Sequence, residues 1–315
     1  MKHTFYFKRT TWACLLCAVL LYACKTHYPV AKENYTLIKT PNSFDRGKNL
    51  VYNTCGGCHY NRGVGKFVGN KFDGIPKVMG KVYTANLTNS KEYGIMRLYT
   101  DAQLAYLLKT GITRDGHFIP YMVRPTMADD DINDIIVYLR SDDAAVAAGD
   151  TSVGKTHLNA IGRAAIHSKK PEPYITPISR PEADNAVANG RYLVDIIGCY
   201  HCHSKSITSL NYLHAEQSKG YMQGGEKFKG PDGKKIYASN LTPCKTTGIG
   251  YYTREDFRKA VREGQAPNRK LHPPMEQFHH LTDKQTDDIY AYLQTLPRAH
   301  HKIKGHAETA QGAGN

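Results

Sequence analysis

The chain repeats itself, and the repeat limits what it can fold into. VYTANLTNSKEYGI at 82–95 and IYASNLTPCKTTGI at 236–249 share Tyr, Asn, Leu, Thr, Lys, Gly and Ile at a constant offset of 154. Upstream, Gly47 and Leu50-Val51 precede CGGCH at 55–59, as Gly190 and Leu193-Val194 precede CYHCH at 199–203. Downstream, PYMVRPTMADDDINDIIVYLRS at 120–141 parallels PPMEQFHHLTDKQTDDIYAYLQT at 273–295. Ordered self-similarity of this length implies two homologous domains, 42–142 and 187–298. A chain of 315 residues has room for both, each with its own core.

Each unit reads alike. A short helix runs into CxxCH, and a long loop rich in Gly, Lys and Tyr holds the Asn-Leu-Thr segment. A middle helix (about 100–110 and 253–264) leads to a Pro-rich turn with a methionine, and a last amphipathic helix closes the unit. In the first unit's last helix, Ile132, Ile135, Ile136 and Leu139 recur on one face. Its counterpart opens on Thr282-Asp283-Lys284-Gln285, a capping box. Little in either unit alternates as a strand does. The linker, 143–186, carries a helix candidate over 155–167 and then KPEPYITPISRPE, which is expected to be extended and stiff. The tail, 299–315, reads as disordered.

CxxCH admits three chemistries. A thioredoxin-like dithiol sits at a helix start within a βαβ pattern, which neither unit supplies. A zinc site needs four ligands from closely paired clusters, and these motifs lie in separate repeats. Covalent haem attachment explains all five positions. Two cysteines on one helical turn form thioethers to the vinyl groups, and the histidine that follows is held beside the iron. Cys55, Cys58, Cys199 and Cys202 are therefore expected to hold two haems c, with His59 and His203 as proximal ligands. His201 reads as filler.

The repeat also points to sixth ligands. Met122 and Met275 occupy matching positions on Pro-rich turns just before the last helices, and a rigid turn can present a thioether to the distal face. His117 and His272 lie close by and would give bis-histidine haems instead. Met127 aligns with Leu281 and reads as the hydrophobic staple of the last helix. Met79, Met96 and Met222 lack a methionine counterpart and read as core. His279 and His280 read as solvated. The segments at Asn86 and Asn240 either hydrogen-bond near the haem edge or only form a turn. Cys244 stands where the first repeat has Ser90 and reads as a free thiol.

The N-terminus is expected to be an export signal, 1–23, with basic MKHTFYFKRTT before apolar WACLLCAVLLYA. Leu21-Tyr22-Ala23-Cys24 resembles a bacterial lipoprotein cleavage box, which makes Cys24 the expected lipidated residue and the body a membrane-anchored lipoprotein facing the periplasm. The formal charge is +14, of which Lys2, Lys8 and Arg9 supply three, leaving 14 less 3, or +11, beyond residue 23. That charge fits a solvated surface and, next, an acidic docking partner. No basic helix or basic–aromatic interleaving favours nucleic acid.

Gly190-Arg191-Tyr192-Leu193-Val194, CYHCHS, NLT-x3-K-x2-GIG-x2-T at 240–253, PPM and LTDKQTDDIYAYLQTLP together resemble the membrane-anchored dihaem c-type cytochromes of bacteria. These are similar to the cytochrome subunits of periplasmic alcohol, aldehyde and sugar dehydrogenases. The resemblance covers about 43–298. It implies an all-α fold, two tandem cytochrome c-fold domains joined by a Pro-rich linker, and carries the axial role onto Met122 and Met275. It implies an electron carrier rather than an enzyme, passing electrons from an extracytoplasmic dehydrogenase to an oxidase or another cytochrome. The alternative is a dihaem peroxidase, which needs one haem with an open distal face. Cys244, where the family has Asp, is a departure.

Overall fold

The structure, a computed structural model, describes residues 27–31, 35–230 and 232–304. The leader expected over 1–23, Cys24, and the tail beyond 304 lie outside the described residues.

In the first repeat, α1 (Ser43–Thr54) runs almost directly into a short helix, α2 (Gly56–His59), which contains the CxxCH turn. Next come α3 (Asp101–Thr110) and α4 (Asp129–Leu139). In the second repeat the corresponding helices are α6 (Ala186–Ile197), α7 (Cys199–His203), α8 (Arg254–Glu263) and α9 (Asp283–Gln294). The middle helices start alike. The Thr100 hydroxyl accepts from the Gln103 N–H and the Thr253 hydroxyl from the Asp256 N–H, each closing a capping box. They also end alike, on Gly111 and Gly264 in the left-handed region, where a Cβ would be strained.

Each repeat crosses its first helix over its last at a glycine. A Cβ on Gly47 would stand 2.0 Å from the Asp134 carbonyl oxygen, and one on Gly190 would stand 1.8 Å from that of Asp288. The crossings bury Leu50, Val51, Ile132, Ile135 and Ile136 in the first repeat, and Leu193, Val194, Ile289 and Leu293 in the second. Removing about 25 cal/mol of transfer cost per Å² of apolar surface makes these seams the main source of cohesion.

The all-α expectation needs correction: helix is the main regular structure, but short strands accompany it. β1 (Lys71–Phe72) pairs antiparallel with β2 (Gly80–Tyr83), and β4 (Lys227–Lys229) with β5 (Lys235–Tyr237) at the equivalent place. β6 (Gln265–Ala266) and β7 (Arg269–Lys270) form a third ribbon. Two to four residues per strand give too few alternations to register in the sequence.

The region between the repeats is tied down. β3 (His157–Leu158) adds to β2, and α5 (Ala160–His167) follows from an Asn159 cap. The helix candidate over 155–167 therefore splits into a strand and a shorter helix. The proline-rich stretch lies along the start of α4: Ile178 and Asp129 exchange backbone and side-chain hydrogen bonds, and the Arg180 guanidinium donates to Asp131 (2.6 Å) and Asp134 (2.5 Å). Asp131 is fully buried, and Arg46 Nε (2.8 Å) and the Tyr192 hydroxyl (2.5 Å) also donate to it. A buried carboxylate is tolerable only with such a set of donors. Tyr192 belongs to α6, so this cluster joins the repeats. A second tie stacks the His280 ring on Tyr52 at 3.8 Å, while Gln285 donates to Asn49. His280 is thus an inter-repeat contact and not merely solvated. Residues 299–304 also depart from the expected disorder. The Ala299 carbonyl accepts from Asn240 Nδ2 (2.7 Å), and Ile303 is buried.

Candidate functional site

The α2 turn folds because the Cys55 carbonyl accepts from the N–H groups of Cys58 (3.2 Å) and His59 (2.9 Å). Side chains of the following loop latch it from outside. Thr84 Oγ1 (2.8 Å) and Asn70 Nδ2 (3.0 Å) both donate to the Cys58 carbonyl. The His59 carbonyl accepts from the Gly69 N–H at 2.9 Å, and the His203 carbonyl from the Gly224 N–H at 2.7 Å.

The histidines are matched more closely still. His59 Nδ1 lies 2.8 Å from the Ala85 carbonyl oxygen, and His203 Nδ1 lies 2.8 Å from that of Ser239. A carbonyl cannot donate, so Nδ1 must carry the hydrogen and the lone pair is on Nε2. Both rings are buried, which lowers their basicity against the opposing pull of the carbonyl bond. A buried neutral imidazole with its Nδ1 fixed by a backbone oxygen presents the Nε2 lone pair in one direction, as a metal ligand must.

The four motif cysteines are unpaired thiols. Burial pushes Cys58 and Cys202 up to about 11 and Cys199 to about 12. A redox dithiol needs the opposite, a thiol drawn down toward neutrality, so the dithiol reading loses its chemistry. Among the described residues no three His, Cys, Asp or Glu side chains converge as a metal-ion site requires. The donor set that remains, two thiols and an oriented imidazole on one turn, fits haem c.

Met122 ends a 3-10 turn, Pro120–Met122, and is half-buried against the core that also receives Cys55. Met275 is half-buried and lines a cavity of about 440 Å³ with Gly56, Gly57 and Glu276, on the seam with the first motif. The backbone N–H of each bonds three residues back, Met122 to Ile119 and Met275 to His272, both at 3.1 Å. His117 and His272 are exposed, a setting that favours the methionines over the bis-histidine alternative. Met96, Met127 and Met222 are fully buried and Met79 is half-buried.

Asn86 and Asn240 are turn formers. Each side-chain oxygen accepts from the N–H (2.9 Å) and hydroxyl (2.7 Å) of Thr88 or Thr242, respectively. Cys244 is buried. Burial would push its thiol up, but the hydroxyls and N–H groups of Thr246 and Thr247 outweigh it and bring it down to about 6.

Two residues had drawn no functional reading. Arg124 reaches from the Met122 turn to the helix before the second motif, its Nε donating to the Ile196 carbonyl at 2.7 Å. The one signal for it is a break in the repeat, where the second unit has Phe278. Asp195, one turn before Cys199, has its Oδ1 buried without a partner.

Residues 44–143, which hold the first of these turns and its closing helix, match the cytochrome c family. Domains of this class hold haem c and serve electron transfer. Over its wider length the chain is similar to cytochrome subunits of dehydrogenases. It is 27% identical over 274 residues to the fructose dehydrogenase cytochrome subunit of Gluconobacter japonicus, covering 81% of this chain and 53% of that subunit. It is 36% identical over 119 residues to the gluconate 2-dehydrogenase cytochrome c subunit of Pantoea cypripedii, covering 35% of this chain and 23% of that one. A cytochrome c subunit of a quinone alcohol dehydrogenase from Gluconacetobacter polyoxogenes is 35% identical over 117 residues, covering 36% and 22%. The chain thus spans about half the length of the first relative and under a quarter of the others.

Proposed function

We propose that the chain is a membrane-anchored electron carrier with two tandem cytochrome c domains and two covalent haems c. It takes electrons from the catalytic subunit of an extracytoplasmic dehydrogenase and passes them to a respiratory acceptor, without itself transforming a substrate. The carrying observation is the doubled geometry: two CxxCH turns, each with its histidine fixed through Nδ1 to a carbonyl at 2.8 Å.

Haem c supplies reversible one-electron chemistry when bound. The chain's own contributions follow from its residues. Cys55, Cys58, Cys199 and Cys202 tether by thioethers, and His59 and His203 offer Nε2. Met122 and Met275 offer thioethers, soft donors that favour reduced iron and raise the potential. The carbonyls of Ala85 and Ser239 orient the imidazoles and sharpen their donor strength. The relatives give the peroxidase alternative no support.

The test is the denatured mass and the ferric spectrum of the full chain. Two haems should stay attached through acid-acetone extraction, with low-spin iron and the weak near-infrared sulfur-to-iron band. Met122→Ala and Met275→Ala should each remove one share of that band and lower one potential, whereas Met222→Ala should cost packing of roughly 2–5 kcal/mol and leave the band intact. One haem, extractable haem, or a high-spin haem with rapid peroxide turnover would overturn the reading.

A further inference from the structure

Arg124 stands where the repeat breaks. Its N–H donates to the Leu108 carbonyl (2.6 Å) as the Phe278 N–H donates to that of Val261 (3.0 Å), so the two residues share one backbone lock. Phe278 packs against the core of the second unit. Arg124 leaves its unit instead. Its Nε reaches the Ile196 carbonyl in the last turn of α6, while Nη1 donates to the carbonyls of Val123 (2.7 Å) and Tyr121 (3.2 Å).

Those partners are all backbone oxygens. They occupy donors on Nε and Nη1 without neutralising its charge, and among the ion pairs of the described residues none joins it to a carboxylate. The end of α6 even attracts it, since a helix C-terminus carries partial negative charge. Space is kept for it by Gly198, in the left-handed region (φ 85°), where a Cβ would stand 3.4 Å from Arg124 Nη2 and 2.9 Å from His201 Nδ1.

The cation faces both motifs. It stands two residues from Met122, on the turn packed against the core that receives Cys55, and its Nη2 lies against Gly198, next to Cys199. The neighbouring His201 ring packs between Tyr200 and Tyr212. One permanent positive charge therefore sits between the two CxxCH turns.

We infer that Arg124 is a positioning residue shared by both redox sites: it braces the Met122 turn against the second motif and, as a fixed cation, raises the reduction potential of both haems. This rests on the two-haem reading. Reduction adds one negative charge at each site, and a fixed positive charge in a partly desolvated seam stabilises that form with little screening by salt.

The experiment is spectroelectrochemical titration of the full holoprotein, wild type against Arg124→Gln and Arg124→Lys, with haem counted on each preparation. Arg124→Gln should lower both midpoints, each by on the order of three- to tenfold in the reduced-to-oxidised ratio at fixed poise, with two haems and the near-infrared band retained. Arg124→Lys keeps the charge and loses the fork, so it should keep most of both potentials while melting earlier. Unmoved potentials in Arg124→Gln, a fall at one site alone, or an equal fall in Arg124→Lys would overturn the role. If Arg124→Gln does not assemble, Arg124→Lys decides alone, because a full loss of either potential there rules out charge as the cause. A count of one haem would instead bring down the two-haem reading, and this inference with it.

Discussion

Asp195 is a carboxylate poorly provided for. Its side chain is 16% exposed, its nearest cation is Arg191 Nε at 4.0 Å, and Arg191 is shared with Glu216 at 2.9 Å. Burial therefore dominates, with Arg191 opposing it and Glu216 adding to it, and the carboxyl is pushed up to about 7. In the unfolded chain it returns to about 3.8. Between these values the native state holds a proton that the unfolded state has released, so this group's contribution to stability falls as pH rises from about 4 to about 7. Asp195→Asn should flatten that part of the profile and add on the order of 2–4 kcal/mol at pH 8, read from denaturant unfolding of the holoprotein at pH 4.5 and 8. An unchanged pH slope would refute the assignment. The two CxxCH turns were legible in the sequence because each is written in five adjacent residues. Asp195 and Arg124 were not, because what matters about each is who stands near it after folding. Only the contrast of Arg124 with Phe278 left a trace.

At the scale of elements, the paired glycines decide how the helices cross. Gly47 and Gly190 stand out in the sequence only as members of the repeat, yet each lets a backbone carbonyl of the closing helix approach as near as a side chain would. The neighbour is backbone, with the Cβ of Tyr138 or Tyr292 next to it, so nothing flexible can yield. Gly190→Ala should force α6 and α9 apart and cost at least about 1–3 kcal/mol, the usual range for overpacking. If both motifs carry haem, the second should lose its methionine ligation at a lower temperature than the first, read by thermal melts followed at the near-infrared sulfur-to-iron band. A tolerated alanine with an unchanged melt would mean that the crossing relaxes freely. Helices were legible at this scale because ten or more residues let apolar spacing and caps accumulate, as in the Ile132–Leu139 face and the capping box at Thr282. The hairpins were hidden by brevity: Lys227–Lys229 has one inward residue, Phe228, between two lysines.

For the molecule as a whole, the question is what would hold it to a membrane. No described helix is long and apolar enough to cross one. Two other means are available to the chain: the lipid proposed on Cys24 and the charge of +11 beyond residue 23. The second is displayed where a partner or an anionic surface could meet it, on the β4–β5 hairpin, whose Lys227, Lys229, Lys234 and Lys235 are exposed with Asp232 alone to offset them. The two means differ in their response to salt. Charge attraction falls as the Debye length shrinks from about 10 Å at 0.1 M to about 3 Å at 1 M. Buried acyl chain, at about 0.8 kcal/mol per CH₂, is indifferent to it. If Cys24 carries the anchor, the wild-type holoprotein should stay with membranes through a 1 M salt wash. Cys24→Ser should then either move the processed holoprotein into the wash or accumulate as an uncleaved precursor. Wild-type protein released by salt alone would make the basic surface the whole attachment, and a processed Cys24→Ser form that resists the wash would place the anchor elsewhere in the chain.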